Sequence, residues 1–180
     1  VPRHGGADAA VVASAAGPAR PAPDPGLVTR VTGSNSARWT PAYVGLGSNL
    51  DVPALQLRQA VQGLAQLASV RVVCVSPHYQ TAPVGPVSQP DFTNAVAALL
   101  TTLDARSLLS SLLELERRMG RVRDGSRWGP RRIDLDLLVF GAQQIREPGL
   151  TVPHPQLALR EFVLRPLNDV APDVDVPGVG

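Results

Sequence analysis

From Pro41 onward, apolar and polar residues alternate with regular periods, and those periods predict a sequence of elements. "AYVGLG" (42–47) is a short strand ending in glycines. "PALQLRQAVQGLAQLA" (53–68) places Leu57, Ala60, Val61, Leu64 and Leu67 at helical spacing, with Asp51 as its N-terminal signal. "VRVVCVSPHY" (70–79) is rich in β-branched residues and predicts a strand, in which Cys74 is expected to be a small core residue. "FTNAVAALLTT" (92–102) fits strand or helix by pattern; its length and the flanking Pro90 and Asp104 favour strand. A helix follows, capped by Asp104, striped by Leu108, Leu112, Leu115 and Met119, and ended by Gly120. An arginine-rich loop leads to a strand over 131–140, and "LTVPHPQLALREFVLRPLNDVAP" carries no assigned element. This order predicts an α+β fold with a ferredoxin-like β-α-β-β-α-β core, its largely antiparallel sheet flanked by helices. That fold hosts enzymes, metal carriers and RNA-binding modules, so function has to be read from a site.

Residues 1–40 differ from the rest. "PARPAPDPG" and "VTGSNSAR" lack hydrophobic periodicity, and their Pro, Ala, Gly and Ser content buries too little surface to offset chain entropy. A disordered arm over 1–40 and one domain over 41–180 are expected. No apolar run approaches the roughly 20 residues of a membrane-spanning helix, and a cytoplasmic protein is expected. The single cysteine excludes a disulfide framework.

The formal charge of +2 is small, but its distribution is informative. The chain has no lysine, and seven arginines lie between Arg117 and Arg132. They lead into "GPRRIDLDLLVF" (129–140), where alternation puts Ile133, Leu135, Leu137 and Val139 on one face and Asp134 with Asp136 on the other. Residues two apart on a strand lie about 6.6 Å apart, so both carboxylates reach one small volume. Their mutual repulsion calls for cations, and two Mg²⁺ ions about 3.5–4 Å apart suit such a pair. A solvated edge strand is the plainer alternative. The neighbouring Arg121, Arg123, Arg127, Arg131 and Arg132 favour a polyphosphate, whose charge metal and guanidiniums neutralise together. Trp128 amid these arginines points to a lid that packs on a flat ligand.

Four stretches, in order, resemble one family: "YVGLGSNL", "TAPVGPVSQPDFTNAV", "GRVRDGSRWGPRRIDLDLLVFG" and "LTVPHPQLALREFVLRPL". They are similar to the 6-hydroxymethyl-7,8-dihydropterin pyrophosphokinases of folate biosynthesis. The resemblance implies pyrophosphate transfer from ATP to the pterin hydroxymethyl group, with release of AMP. It implies that Asp134 and Asp136 hold two Mg²⁺ ions and that Phe92 and Phe162 sandwich the pterin. Asn94 and the Thr81, Ala82 and Val84 segment would meet the pterin edge, with Trp128 closing over it. Arg121, Arg123 and Arg131 would engage phosphates, and Glu116, His154 and Arg160 would line the nucleotide side. A monomer acting on small molecules, without nucleic acid or membrane, is expected.

Departures from the family pattern are Phe92 for a common tyrosine, Asp124 for a basic residue, and Pro155 for an aromatic. Relatives continue further, so a C-terminal truncation is expected. Two alternatives compete. A catalytically weak relative would bind ATP without turnover. A ferredoxin-like nucleic-acid module would use the arginines, but aromatics are only 4% of residues and the paired aspartates would repel RNA.

Overall fold

A computed structural model describes residues 38–121 and 129–179, all within the compact unit Asn35–Gly180. Its elements are β1 (Thr40–Ser48), α1 (Pro53–Ala65), β2 (Val70–Val75), β3 (Tyr79–Thr81), β4 (Phe92–Thr101), α2 (Ala105–Arg118) and β5 (Asp134–Phe140). A hairpin of β6 (Ile145–Glu147) and β7 (Leu150–Val152), a 3₁₀ turn at Leu157–Leu159 and α3 (Glu161–Val170) follow. The sheet runs β2-β4-β1-β5, antiparallel throughout, with β3 also on β4. This is the expected ferredoxin-like order, in which the third long strand inserts between the first two. The 70–79 strand divides into β2 and β3 because Pro77 cannot donate to a ladder.

The sheet is covered on both faces. Leu57, Ala60 and Leu64 of α1 and Leu108, Leu112 and Leu115 of α2 pack on one face, against Val44, Leu46, Leu135 and Leu137. Val163 and Leu167 of α3 pack on the other, against Val96, Leu138 and Val139. Val139 therefore lies on the face opposite to the one alternation predicts. The β1–β5 register shifts between Tyr43 and Val44, leaving Leu138 as an extra residue, and one extra residue reverses every later side chain.

Three smaller expectations are corrected. Asp51 does not cap α1: Val52 is the N-cap without a side-chain bond, Pro53 opens the helix, and Asp51, at φ 56°, accepts from Arg132 Nε at 2.6 Å. Cys74 is exposed, because β2 is an edge strand whose register shifts between Val72 and Cys74. The 131–140 strand begins only at Asp134. Among the described residues no helix is long and apolar enough to cross a membrane.

Asp104 does cap α2, accepting from Ser107 N at 2.7 Å. Asp104→Ala is expected to lower stability by about 1 kcal/mol in urea unfolding; an unchanged midpoint would contradict the cap's contribution.

Candidate active site

The strand register assembles a site on the α3-side face of the sheet. Asn94 on β4, Gly47 on β1 and Asp134 on β5 form one row; Val96, Gly45 and Asp136 form the next. Residues directly opposite share a face, so two glycines lie between Asn94 and Val96 of β4 and the carboxylates of β5. A Cβ at Gly47 would come within 3.1 Å of Asn94 Oδ1, and one at Gly45 within 3.4 Å of a Leu138 methyl. The glycines leave a low floor where a flat molecule can lie against backbone.

Around this floor one cavity is lined by Thr81, Ala82, Val84, Phe92, Asn94, Arg131, Asp134, Asp136, Arg160 and Phe162, together with Gly45, Gly47 and Gln89. Ten residues expected from sequence are thus brought together. Phe92 opens β4, and Phe162 lies in the first turn of α3, so the aromatic pair comes from two elements on different chain segments. Arg131 lies 5.8 Å from the Phe92 ring centroid and Arg160 lies 5.7 Å from that of Phe162. Asn94 Nδ2 donates to Thr81 Oγ1 at 2.8 Å, which ties β3 to the floor. Its Oδ1 has no partner among the described residues and can accept from a ligand.

The polar end is electrostatically divided. Asp134 accepts from Arg131 Nη1 at 2.5 Å and is also ion-paired with Arg121, which bridges it to Glu116. Glu116 is 1% exposed and does not line the cavity; it accepts from Leu135 N at 2.7 Å and holds Arg121 against the start of β5. Asp136, by contrast, accepts no hydrogen bond among the described residues. Burial, and then the Asp134 charge, push its carboxyl up to about 6, against opposing pulls from Arg160, Arg121 and Arg131. His154 stays outside the cavity lining; its backbone N donates to Leu138 O at 2.8 Å, and burial and Arg160 lower its pKa. Arg123, Asp124, Arg127 and Trp128 lie outside the described residues.

The carboxylates fit a divalent cation by their chemistry. Asp136 is enclosed, lacks a donor among the described residues and faces a second carboxylate, so a cation there would relieve its cost. Among the described residues no group of three or more His, Cys, Asp or Glu side chains is poised for a metal. Two protein oxygens completed by phosphate and water suit Mg²⁺, which dehydrates reluctantly and is commonly held through substrate phosphates.

Sequence reasoning missed the glycine floor, although two glycines at a spacing of two within one strand are a readable sign of close approach by a ligand. It also assigned no role to Asn49 and Gln89. Nothing in the pattern distinguishes that asparagine from an ordinary turn residue.

Fold and cavity define a ferredoxin-like α+β protein that can hold a flat ligand between aromatic faces, beside carboxylates and arginines arranged for phosphate. Comparison with known proteins is specific. Residues 43–172 match the model of the 7,8-dihydro-6-hydroxymethylpterin-pyrophosphokinase family. The chain is 50% identical over 135 residues to a Pseudomonas aeruginosa protein named 2-amino-4-hydroxy-6-hydroxymethyldihydropteridine pyrophosphokinase, covering 75% of this chain and 83% of that one. A Bacillus subtilis protein of the same name is 42% identical over 134 residues, covering 74% and 80%. The crystal structure of a Plasmodium falciparum HPPK-DHPS variant superposes with a TM-score of 0.61 at 15% identity, over 77% of this chain and 41% of that longer chain, a likeness of fold alone. The chain belongs to the 7,8-dihydro-6-hydroxymethylpterin-pyrophosphokinase family.

Proposed function

We propose that this cavity carries the family's reaction, the transfer of pyrophosphate from ATP to the hydroxymethyl group of 6-hydroxymethyl-7,8-dihydropterin in folate biosynthesis. The hydroxymethyl oxygen forms a bond to the β-phosphorus of ATP. The bond from that phosphorus to the α,β-bridging oxygen breaks, AMP leaves, and the hydroxyl proton passes to solvent. The observation that carries this reading is the row register: it sets an aromatic, amide-edged compartment directly beside paired carboxylates across a side-chain-free floor.

Each role follows from local chemistry. Phe92 and Phe162 stack on the pterin, and Asn94 with the backbone of Thr81, Ala82 and Val84 meets its polar edge. Asp134 and Asp136 would hold two Mg²⁺ ions, which would neutralise charge on the phosphate oxygens and favour loss of the proton from the reacting hydroxyl. Arg121 and Arg131 take phosphate charge; their guanidiniums already converge on Asp134. Glu116 orients Arg121, while Arg160 and His154 serve the nucleotide side. Arg123 and Trp128 are assigned phosphate contact and closure, which would exclude water from the transfer. The catalytic domain is assigned to residues 41–180 and the preceding 1–40 to an arm. The enzyme acts in the cytoplasm, where ATP is available, as a monomer on small molecules and not on nucleic acid.

Purified protein supplied with ATP, Mg²⁺ and the pterin should release AMP, and omission of any one component should abolish it. AMP that forms equally without pterin would mark an ATP hydrolase and overturn the reading. Phe162→Ala is expected to weaken pterin binding about tenfold, the value of one lost stacking face, with the affinity for an ATP analogue little changed. Equal losses for both ligands would remove Phe162 from the pterin wall.

A further inference from the structure

Asn49 stands where the two halves of this site meet. It follows β1, is 2% exposed, and spends its side chain in two directions. Nδ2 donates to Gln89 Oε1 at 2.9 Å and to Pro90 O at 3.0 Å, on the segment that leads into Phe92. Oδ1 accepts from the backbone N of Arg131 at 2.8 Å, and Asn49 N donates to Arg131 O at 3.1 Å. Gln89 itself lines the cavity, and the Arg131 guanidinium reaches Asp134 at 2.5 Å. One buried amide therefore fixes the pterin-side segment and the phosphate-side arginine in a single register. The preceding residue supplies no second link of this kind: Ser48 Oγ, also buried, makes no hydrogen bond among the described residues.

We propose that Asn49 is a positioning residue that couples the pterin half of the site to the phosphate half. The inference rests on the pyrophosphokinase reading above. Occupation of the aromatic compartment sets the 89–92 segment, Asn49 transmits that setting to Arg131, and the arginine is then placed for the phosphates. Thermodynamic linkage makes the effect reciprocal: a nucleotide held by Arg131 tightens pterin binding by the same factor. A buried asparagine that merely filled a turn would add stability without linking the two affinities. Aspartate at this position separates the two directions, because it keeps the acceptor for Arg131 N and lacks both donors to Gln89 and Pro90.

The measurement is pterin affinity, read by its fluorescence, with and without the α,β-methylene analogue of ATP and Mg²⁺, in wild type, Asn49→Ala and Asn49→Asp. The wild-type protein should bind pterin more tightly with the analogue, by on the order of tenfold or more. Both variants should lose most of that ratio and about a hundredfold in kcat, while analogue affinity alone changes less than about threefold. Amide exchange at Arg131 should quicken in Asn49→Ala and stay slow in Asn49→Asp, which locates the broken link; Asn49→Asp also serves if the alanine variant does not fold. A folded variant that keeps the wild-type ratio, or a wild-type ratio near one, overturns the coupling. Wild-type protein that forms no AMP refutes the proposed function itself, whereas normal turnover with an unaltered ratio in Asn49→Asp refutes only the coupling.

Discussion

Asp136→Ala should abolish AMP formation, by at least about 10³-fold, while the protein stays folded and more stable at neutral pH than the parent. Both halves of that result come from one environment. The carboxyl is enclosed on the sheet face, accepts no hydrogen bond among the described residues, and has its pKa raised to about 6 by burial and by Asp134. An acid whose pKa is raised on folding binds more protons in the folded than in the unfolded chain between its two values. Stability therefore declines as pH rises from about 4, the unfolded value, through about 6, and levels off only above that. Asp136→Asn removes the titration with little change of shape, so its unfolding free energy should be nearly flat over that range where the parent's falls. Equal pH profiles for the parent and the Asp136→Asn variant, in the absence of Mg²⁺ and ATP, would contradict the electrostatic description. Near-parental turnover in Asp136→Ala would remove the carboxylate from the catalytic centre. The same arrangement explains why a strand tolerates two adjacent carboxylates: function retains a charge that folding alone would not select.

Arg131→Ala is the second large effect. The guanidinium contacts Asp134 at 2.5 Å and borders both carboxylate and aromatic wall. Loss of one preorganised charge on a developing phosphoryl transition state costs about 3–4 kcal/mol, or 10²–10³ in kcat. The backbone of Arg131 is held separately, through Asn49, so truncation of the side chain should leave the pterin compartment in place. Its 5.8 Å separation from the Phe92 ring contributes little to stacking. Steady-state kinetics should accordingly show a collapse of kcat, while pterin affinity measured without nucleotide stays within about threefold of the parent. A variant whose main defect is pterin affinity would place Arg131 on the wrong substrate.

Legibility in the sequence followed the range of the interactions. The four long strands and the first two helices could be read because their signals are local: β-branched runs, a 3.6-residue stripe, Asp104 as a cap; the three-residue strands β6 and β7 are too short to show a period and could not be. The shared face of Asp134 and Asp136 needed only alternation. Val139 was misplaced because the bulge at Leu138 is a property of pairing with β1, and the pattern within β5 does not announce it. Cys74 looked like a core residue because its run is apolar, yet only sheet order reveals β2 as an edge. Asp51 resembled a helix cap, but its partner, Arg132, is far away in sequence. The α3 helix escaped notice because Pro166 lies inside it, although Val163 and Leu167 carry the right spacing. The residues that line the cavity, among them Phe92, Asn94, Arg131, Asp134, Asp136 and Phe162, could be singled out through their motifs. Asn49 and Gln89, which hold other residues in place, became visible only with the hydrogen bonds.

Pyrophosphate transfer moves both terminal phosphorus atoms of ATP together. It is tested most directly with ATP labelled at the β-phosphorus, incubated with Mg²⁺, the pterin and the purified protein, and separated into nucleotide and pterin products. The label is expected to leave the nucleotide entirely, to appear in the pterin product, and to be matched mole for mole by unlabelled AMP. Label retained in ADP would show transfer of the γ-phosphoryl group alone and would contradict the assignment of this cavity as a pyrophosphokinase centre.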